Sequence, residues 1–162
     1  MISAKDISSV IISALVEEIK MQGHNDTGKL INSFESTETE TETGKKTTIE
    51  ILFFNYGMFL NYGRKPGSYV PFAVLFDWVK RRLNLSGLQA RSATFAINPK
   101  IFKEGSPTKG ALKYSSTGTR TQLIDDALKR KDKEITEAIS EYFAFVISKK
   151  IDIITQVGKY QF

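Results

Sequence analysis

The sequence predicts an α+β fold: a small antiparallel sheet with an extended β-hairpin packed against several helices, including a long C-terminal helix. Two kinds of periodicity predict it. Apolar residues recur at helical spacing near both ends of the chain, and residues 35–54 switch to strict alternation, the spacing of strands. A turn at Gly44-Lys45 divides the alternating run into two arms. With 162 residues the chain is long enough for one domain with a real core. Residues 1–154 are read as that domain and residues 155–162 as a short C-terminal tail.

The first helix is expected from about Lys5 to Met21. Ile7, Val10, Ile11, Ala14, Leu15, Val16 and Ile19 form its apolar stripe, and Lys5, Ser9, Ser13, Glu17 and Lys20 its wet side. Ser3 with Asp6 three positions on forms a capping box. Gly23-His-Asn-Asp26 ends the helix. His24, the only histidine, is expected to be a solvent-exposed loop residue, because no nucleophile or orienting partner accompanies it. Asp26 or Thr27 then caps a short helix with Leu30, Ile31 and Phe34 on its buried edge.

In the alternating run, Glu35, Thr37, Thr39, Thr41 and Thr43 share one face, and Ser36, Glu38, Glu40 and Glu42 the other. The return arm alternates Ile49, Ile51 and Phe53 with Thr48, Glu50 and Leu52. The hairpin therefore has a buried base and a tip polar on both faces, which is expected to project into solvent or lie on another subunit. Glu38, Glu40 and Glu42 are either a solvated face or an interface that pairs with a basic surface on a neighbour. No loop has calcium-binding spacing, so no metal is expected.

Tyr56-Gly-Met-Phe-Leu-Asn-Tyr-Gly-Arg-Lys-Pro-Gly67 packs three aromatics and three glycines into twelve positions. Tyr56, Phe59 and Leu60 are expected to anchor it to the core. Tyr62, Gly63, Arg64 and Lys65 are expected to form an exposed turn that meets a neighbouring chain.

Pro71 suits the first turn of a helix over Phe72–Leu83, with Val74, Leu75, Trp78, Val79 and Leu83 as its buried stripe. Lys80, Arg81 and Arg82 complement the negative end of that helix. Ser86 or Gly87 opens a further helix with Leu88, Ala93, Phe95, Ala96 and Ile97, and Pro99 predicts a break near Asn98. Residues 103–120 have loop composition. Lys109, Lys113 and Arg120 there are either part of a flexible connector or contacts for DNA phosphates or a partner's carboxylates. Gly105-Ser-Pro-Thr-Lys-Gly110 lacks the Gly-Lys-Ser/Thr order of a phosphate loop. A single helix of about 30 residues, roughly 45 Å long, is expected from Thr121 to Ile154.

Bulk properties narrow the function. The chain has no cysteine, which removes disulfides and thiolate chemistry. A net charge of +5 and a pI near 9.3 allow an acidic partner. No apolar run reaches the ~18 residues of a membrane span, and the N-terminus lacks the order of a signal peptide. An enzyme would need Asp77, Glu104, Asp125 or Asp126 to work with His24, and nothing in the spacing joins them. No catalytic residue and no cofactor is expected.

In order and in three short motifs the chain resembles the tail-completion, or head–tail joining, proteins of tailed bacteriophages. The motifs are Thr27-Gly28-Lys-Leu30-Ile-Asn-Ser33, the set Tyr56, Phe59, Tyr62 and Gly63, and Thr121-Gln-Leu-Ile-Asp-Asp-Ala-Leu128. Asn61 stands where family members commonly have glutamate. The resemblance implies a structural virion protein of the neck or tail, present in the host cytoplasm during assembly. It implies a homo-oligomeric ring that binds portal-side connector or adaptor proteins and tail-tube or tail proteins, while genomic DNA passes through, and touches, its lumen. The alternative reading is a basic nucleic-acid-binding module without enzymatic activity, favoured by Lys80-Arg-Arg82, Lys129-Arg-Lys131 and Lys149-Lys150.

Overall fold

A computed structural model describes residues 3–40 and 46–158. The hairpin turn at Gly44-Lys45, the interface candidate Glu42, the face positions Thr41 and Thr43, and residues 159–162 of the tail lie outside the described residues. The architecture is α+β: a two-stranded antiparallel sheet packed with helices, the last of them long.

Helix α1 spans Ala4–Met21 and buries Ile7, Ala14, Leu15 and Ile19, the stripe read from its spacing. The Asp6 carboxylate accepts the Ser3 backbone N–H at 2.7 Å and the Ser3 hydroxyl at 2.8 Å, which holds its pKa below the usual carboxylate value. After the turn at residues 23–26 the expected short helix is only a 3-10 turn, Ile31–Ser33. Leu30 is nevertheless buried in the core beside α1.

Strands β1 (Glu35–Glu40) and β2 (Thr47–Leu52) pair from Glu35↔Leu52 to Glu40↔Thr47. The described part of the hairpin does not project. Its Ser36–Glu38–Glu40 face lies against helices, where polar contacts do the work of the missing apolar ones. The Ser8 hydroxyl of α1 donates to Glu38 Oε1 at 2.8 Å.

Helix α2 (Tyr56–Tyr62) occupies the aromatic stretch. Helix α3 (Phe72–Leu83) follows Pro71 as expected, and α4 (Gly87–Glu104) packs on it. The expected break in α4 is absent: Pro99 lies inside the helix. Asn98 explains what holds this segment. Its Oδ1 accepts the Val70 N–H and its Nδ2 donates to the Val70 carbonyl, both at 2.9 Å. Ile97 and Ile101 pack against the α3–α4 core on either side of the proline.

The expected single C-terminal helix is two. Helix α5 (Leu123–Arg130) ends at Lys131, and α6 runs over Asp132–Gly158, so the helix extends past the expected start of the tail at residue 155. Lys131 Nζ sits 2.8 Å from Glu134 Oε1 and 3.6 Å from Glu17 Oε2, which ties the break to α1. Tyr142 of α6 is buried beside the sheet. Its hydroxyl is 3.1 Å from Thr47 Oγ1 and 3.5 Å from Glu40 Oε1.

Two cores result. The first joins α1, Leu30 and α5, with Ile51, Phe53 and Leu60 packed against it. The second lies between α3 and α4, around Leu75, Val79 and Ala90. Trp78 is half-buried against this second core, whereas Val74 and Leu83 of the expected stripe are exposed.

Polar contacts link the α3–α4 pair to the rest. Arg64 N–H donates to the Ser106 carbonyl at 2.6 Å, and Ser106 N–H to the Arg64 carbonyl at 2.9 Å. Gly105 sits there at φ +81°, and a Cβ at this position would collide with the Arg64 carbonyl oxygen.

Candidate assembly surface and arginine-lined cleft

Helix α2 buries Leu60 and exposes Tyr62 as the sequence predicts, but Tyr56 and Phe59, expected to anchor it to the core, are exposed. Gly57, Leu60 and Asn61 face the core, while Tyr56, Phe59 and Tyr62 face outward. Phe59 is 65% exposed and Tyr62 75%. The reason is local. A Cβ at Gly57 would lie 2.6 Å from the Phe53 ring, so only glycine admits this close approach of α2 to the segment just after β2. Asn61, 6% exposed, supplies the polar half of the contact. Its carbonyl accepts the Gln122 N–H at 2.7 Å and its Oδ1 the Ile124 N–H at 2.9 Å. One face of α2 is thereby fixed inward and the aromatic face is left to solvent.

Gly63 and Arg64 are less available than an exposed turn implies. Gly63 lies at φ +73°, where a Cβ would come 2.8 Å from the Ser106 carbonyl oxygen. Arg64 is half-buried and Nη2 donates to the Tyr69 carbonyl at 2.9 Å. Lys65 is exposed. The turn is thus part structural seam and part surface, with Tyr62 and Lys65 on the outside.

Glu38 and Glu40 share a face, as expected, but Glu38 is half-buried against α1, whereas Glu40 stays exposed with the Tyr142 hydroxyl of α6 3.5 Å away. Hydrogen bonds from Ser8 and Ser36 hold the Glu38 carboxyl below its usual pKa. The outward face of β1 is Glu35, Thr37 and Thr39.

The basic loop residues divide in the same way. Lys109 and Lys113 are exposed, with Lys113 Nζ 5.0 Å from the Tyr114 ring centre. Arg120 is half-buried and turned inward. Its Nη2 donates to the Gly23 carbonyl at 3.1 Å and lies 3.4 Å from His24 Nδ1, and its Nη1 lies 3.4 Å from the Ala111 carbonyl. Residues 103–120, expected to be a loop, contain a 3-10 helix, Lys109–Tyr114, and Ser116 N–H donates to the Met21 carbonyl at 2.9 Å.

His24 is half-buried, not solvent-exposed. Its Nε2 is 3.1 Å from the Arg120 carbonyl oxygen. Burial, and then the Arg120 charge, push its pKa down to about 4, so the ring is neutral at pH 7.

Arg81 and Arg82 do more than complement a helix end. Arg81 Nη2 meets Asp26 Oδ2 at 3.0 Å. Arg82 donates to the Asn25 carbonyl from Nη1 and to the Gly23 carbonyl from Nη2, both at 3.0 Å. They hold the loop that follows α1 against α3. A cleft of about 520 Å³ opens between that loop, α2 and α3. Lys29, Arg81, Arg82 and Arg120 line it with Tyr56 and Trp78. Sequence reading missed this grouping, because Lys29, Arg82 and Arg120 are far apart in the chain and no spacing rule joins them.

Phe59, Tyr62, Phe95, Phe143 and Ile147 are among the large apolar side chains exposed on the surface. No group of three or more metal-ligating side chains occurs among the described residues, and none of their helices is long and apolar enough to cross a membrane. Comparison of the chain with protein-family profiles, with curated proteins and with solved structures finds no match in any of the three.

Proposed function

We propose that this chain is a structural virion protein that assembles into a ring in the neck or at the tail end of a tailed phage, joining the portal side to the tail and letting DNA pass. The observation that carries the reading is the outward aromatic face of α2, where Phe59 and Tyr62 stand in solvent. Aromatic residues gathered on a short, rigidly docked helix suit the buried centre of a protein interface. The order of elements and the three motifs that resemble tail-completion proteins supply the virion context. In a ring the two surfaces that meet are different, and the contact repeats until it closes. Native mass spectrometry and negative-stain electron microscopy test this. A closed ring of defined stoichiometry is expected, alone or on addition of phage neck components; a monomer under both conditions contradicts it.

A nucleic-acid-binding module is the second reading. The convergence of Arg82 and Arg120 on one carbonyl oxygen, beside Lys29 in the same cleft, favours it.

A further inference from the structure

Four cationic side chains line the cleft between the loop after α1, α2 and α3: Lys29, Arg81, Arg82 and Arg120. One carboxylate faces them, Asp26, and it is paired with Arg81. Arg82 and Arg120 have no carboxylate partner among the described residues. Both instead donate to the same Gly23 carbonyl oxygen, at 3.0 and 3.1 Å. Two guanidinium groups drawn to one oxygen are close enough to repel, and Arg120 Nε is buried with no hydrogen-bond partner. The neighbouring His24 adds no negative charge. The site therefore carries an uncompensated positive charge that an anion would neutralise.

The lining also has an apolar side, next to the polar loop residues His24, Asn25 and Thr27. Tyr56 and Trp78 stand on the cleft wall with Leu60 and Val74. Aromatic faces of this kind stack on planar groups. A volume of about 520 Å³ is in the range of small-molecule sites. Guanidinium groups match the oxygens of a phosphate better than those of a neutral ligand.

We propose that this cleft binds a phosphate ester of nucleotide size, with its phosphate on Lys29, Arg82 and Arg120 and its planar body against Trp78 and Tyr56. The phosphate belongs either to a free nucleotide or to a residue of a nucleic-acid strand. The phosphate contacts Lys29, Arg82 and Arg120 are different side chains from Phe59 and Tyr62 of the proposed ring interface, so ring formation and ligand binding are separable in experiment.

Trp78 is the only tryptophan, so its fluorescence reports on this cleft. The test titrates the full chain with dTMP, with thymidine and with a short oligo-dT strand, reading Trp78 emission and binding heat together. Saturable binding of dTMP, with none of thymidine, is expected. Oligo-dT that displaces dTMP assigns the phosphate to a strand; oligo-dT that leaves bound dTMP in place assigns it to the free nucleotide. Lys29→Gln, which removes a charge without cutting a contact that holds the loop, should weaken binding about tenfold. Arg82→Gln should weaken it further, and its circular dichroism spectrum identifies any loss of fold. Absence of saturable binding by both dTMP and oligo-dT overturns the proposal. So does binding by a Glu-rich peptide alone, which would make the cleft a protein-docking site, or dTMP binding that Lys29→Gln leaves unchanged.

Discussion

Asn61 Oδ1 accepts the Ile124 backbone N–H at 2.9 Å, so a side chain from α2 caps the first turn of α5. Gln122, at the usual capping position, has a left-handed backbone (φ +58°) and makes no side-chain cap of its own. The cap is therefore supplied across the fold by a buried amide. Asn61→Ala should destabilise the chain by about 1–3 kcal/mol, because it strands the Ile124 N–H in a partly buried site. Asn61→Asp keeps the acceptor and should lose less. Urea unfolding followed by circular dichroism separates the two. Equal stability of Asn61→Ala and the parent chain would falsify the assignment.

Glu18 is fully buried, and Arg130 at the end of α5 reaches it at 2.9 Å from Nε to Oε2. Gln22 Nε2 donates to the other carboxylate oxygen at 3.0 Å. The arginine is part-exposed and the glutamate is not, so the two substitutions are unequal. Arg130→Ala leaves an unpaired buried carboxylate and should cost about 3 kcal/mol or more. Glu18→Gln leaves a neutral amide and an arginine that water can reach, and should cost less. Thermal melts of both variants at pH 7 check the order.

The neutral His24 ties stability to pH. Its folded pKa is pushed down to about 4 from a model-compound value of 6.5. Between those values the unfolded chain binds the proton and the folded chain does not. Stability from this group is thus complete above about pH 6.5 and is lost as pH falls toward about 4. The effect should be on the order of 1–2 kcal/mol, given the partial exposure of the ring. His24→Gln should flatten the midpoint-against-pH curve between pH 5 and 6.5, above the range where most carboxylates titrate. A parent curve that is already flat there contradicts the assigned environment.

Local signals in the sequence located most elements. Ser3 and Asp6 marked the start of α1, and Pro71 with its apolar spacing marked α3 over the observed range. Alternation located both strands. The misreadings arose where distant residues decide. Pro99 predicts a break, but Asn98 clamps Val70 and the isoleucines on either side pack into the α3–α4 core. The α5–α6 junction falls inside the charged run 129–134, which the single-helix reading carried through, and Lys131 there reaches Glu17 on α1. Phe59 and Tyr62 read as one anchor and one surface residue, yet the close contact at Gly57 puts both outside. The cleft was illegible because its cations come from three separate segments and meet only through the fold.

The measurement that tests the central claim most directly is the assembled mass of the parent chain against that of Phe59→Ser/Tyr62→Ser. Both side chains point away from both cores, so the double variant should keep the parent's circular dichroism spectrum and melting cooperativity. Lys65→Glu adds a milder change at the same surface; Arg64 is unsuitable, because its guanidinium holds the Tyr69 carbonyl. The account predicts a closed oligomer for the parent by native mass spectrometry, and a folded monomer or small fragment for the double variant. An undiminished oligomer from the folded double variant, or a parent that remains monomeric with and without neck components, would contradict it.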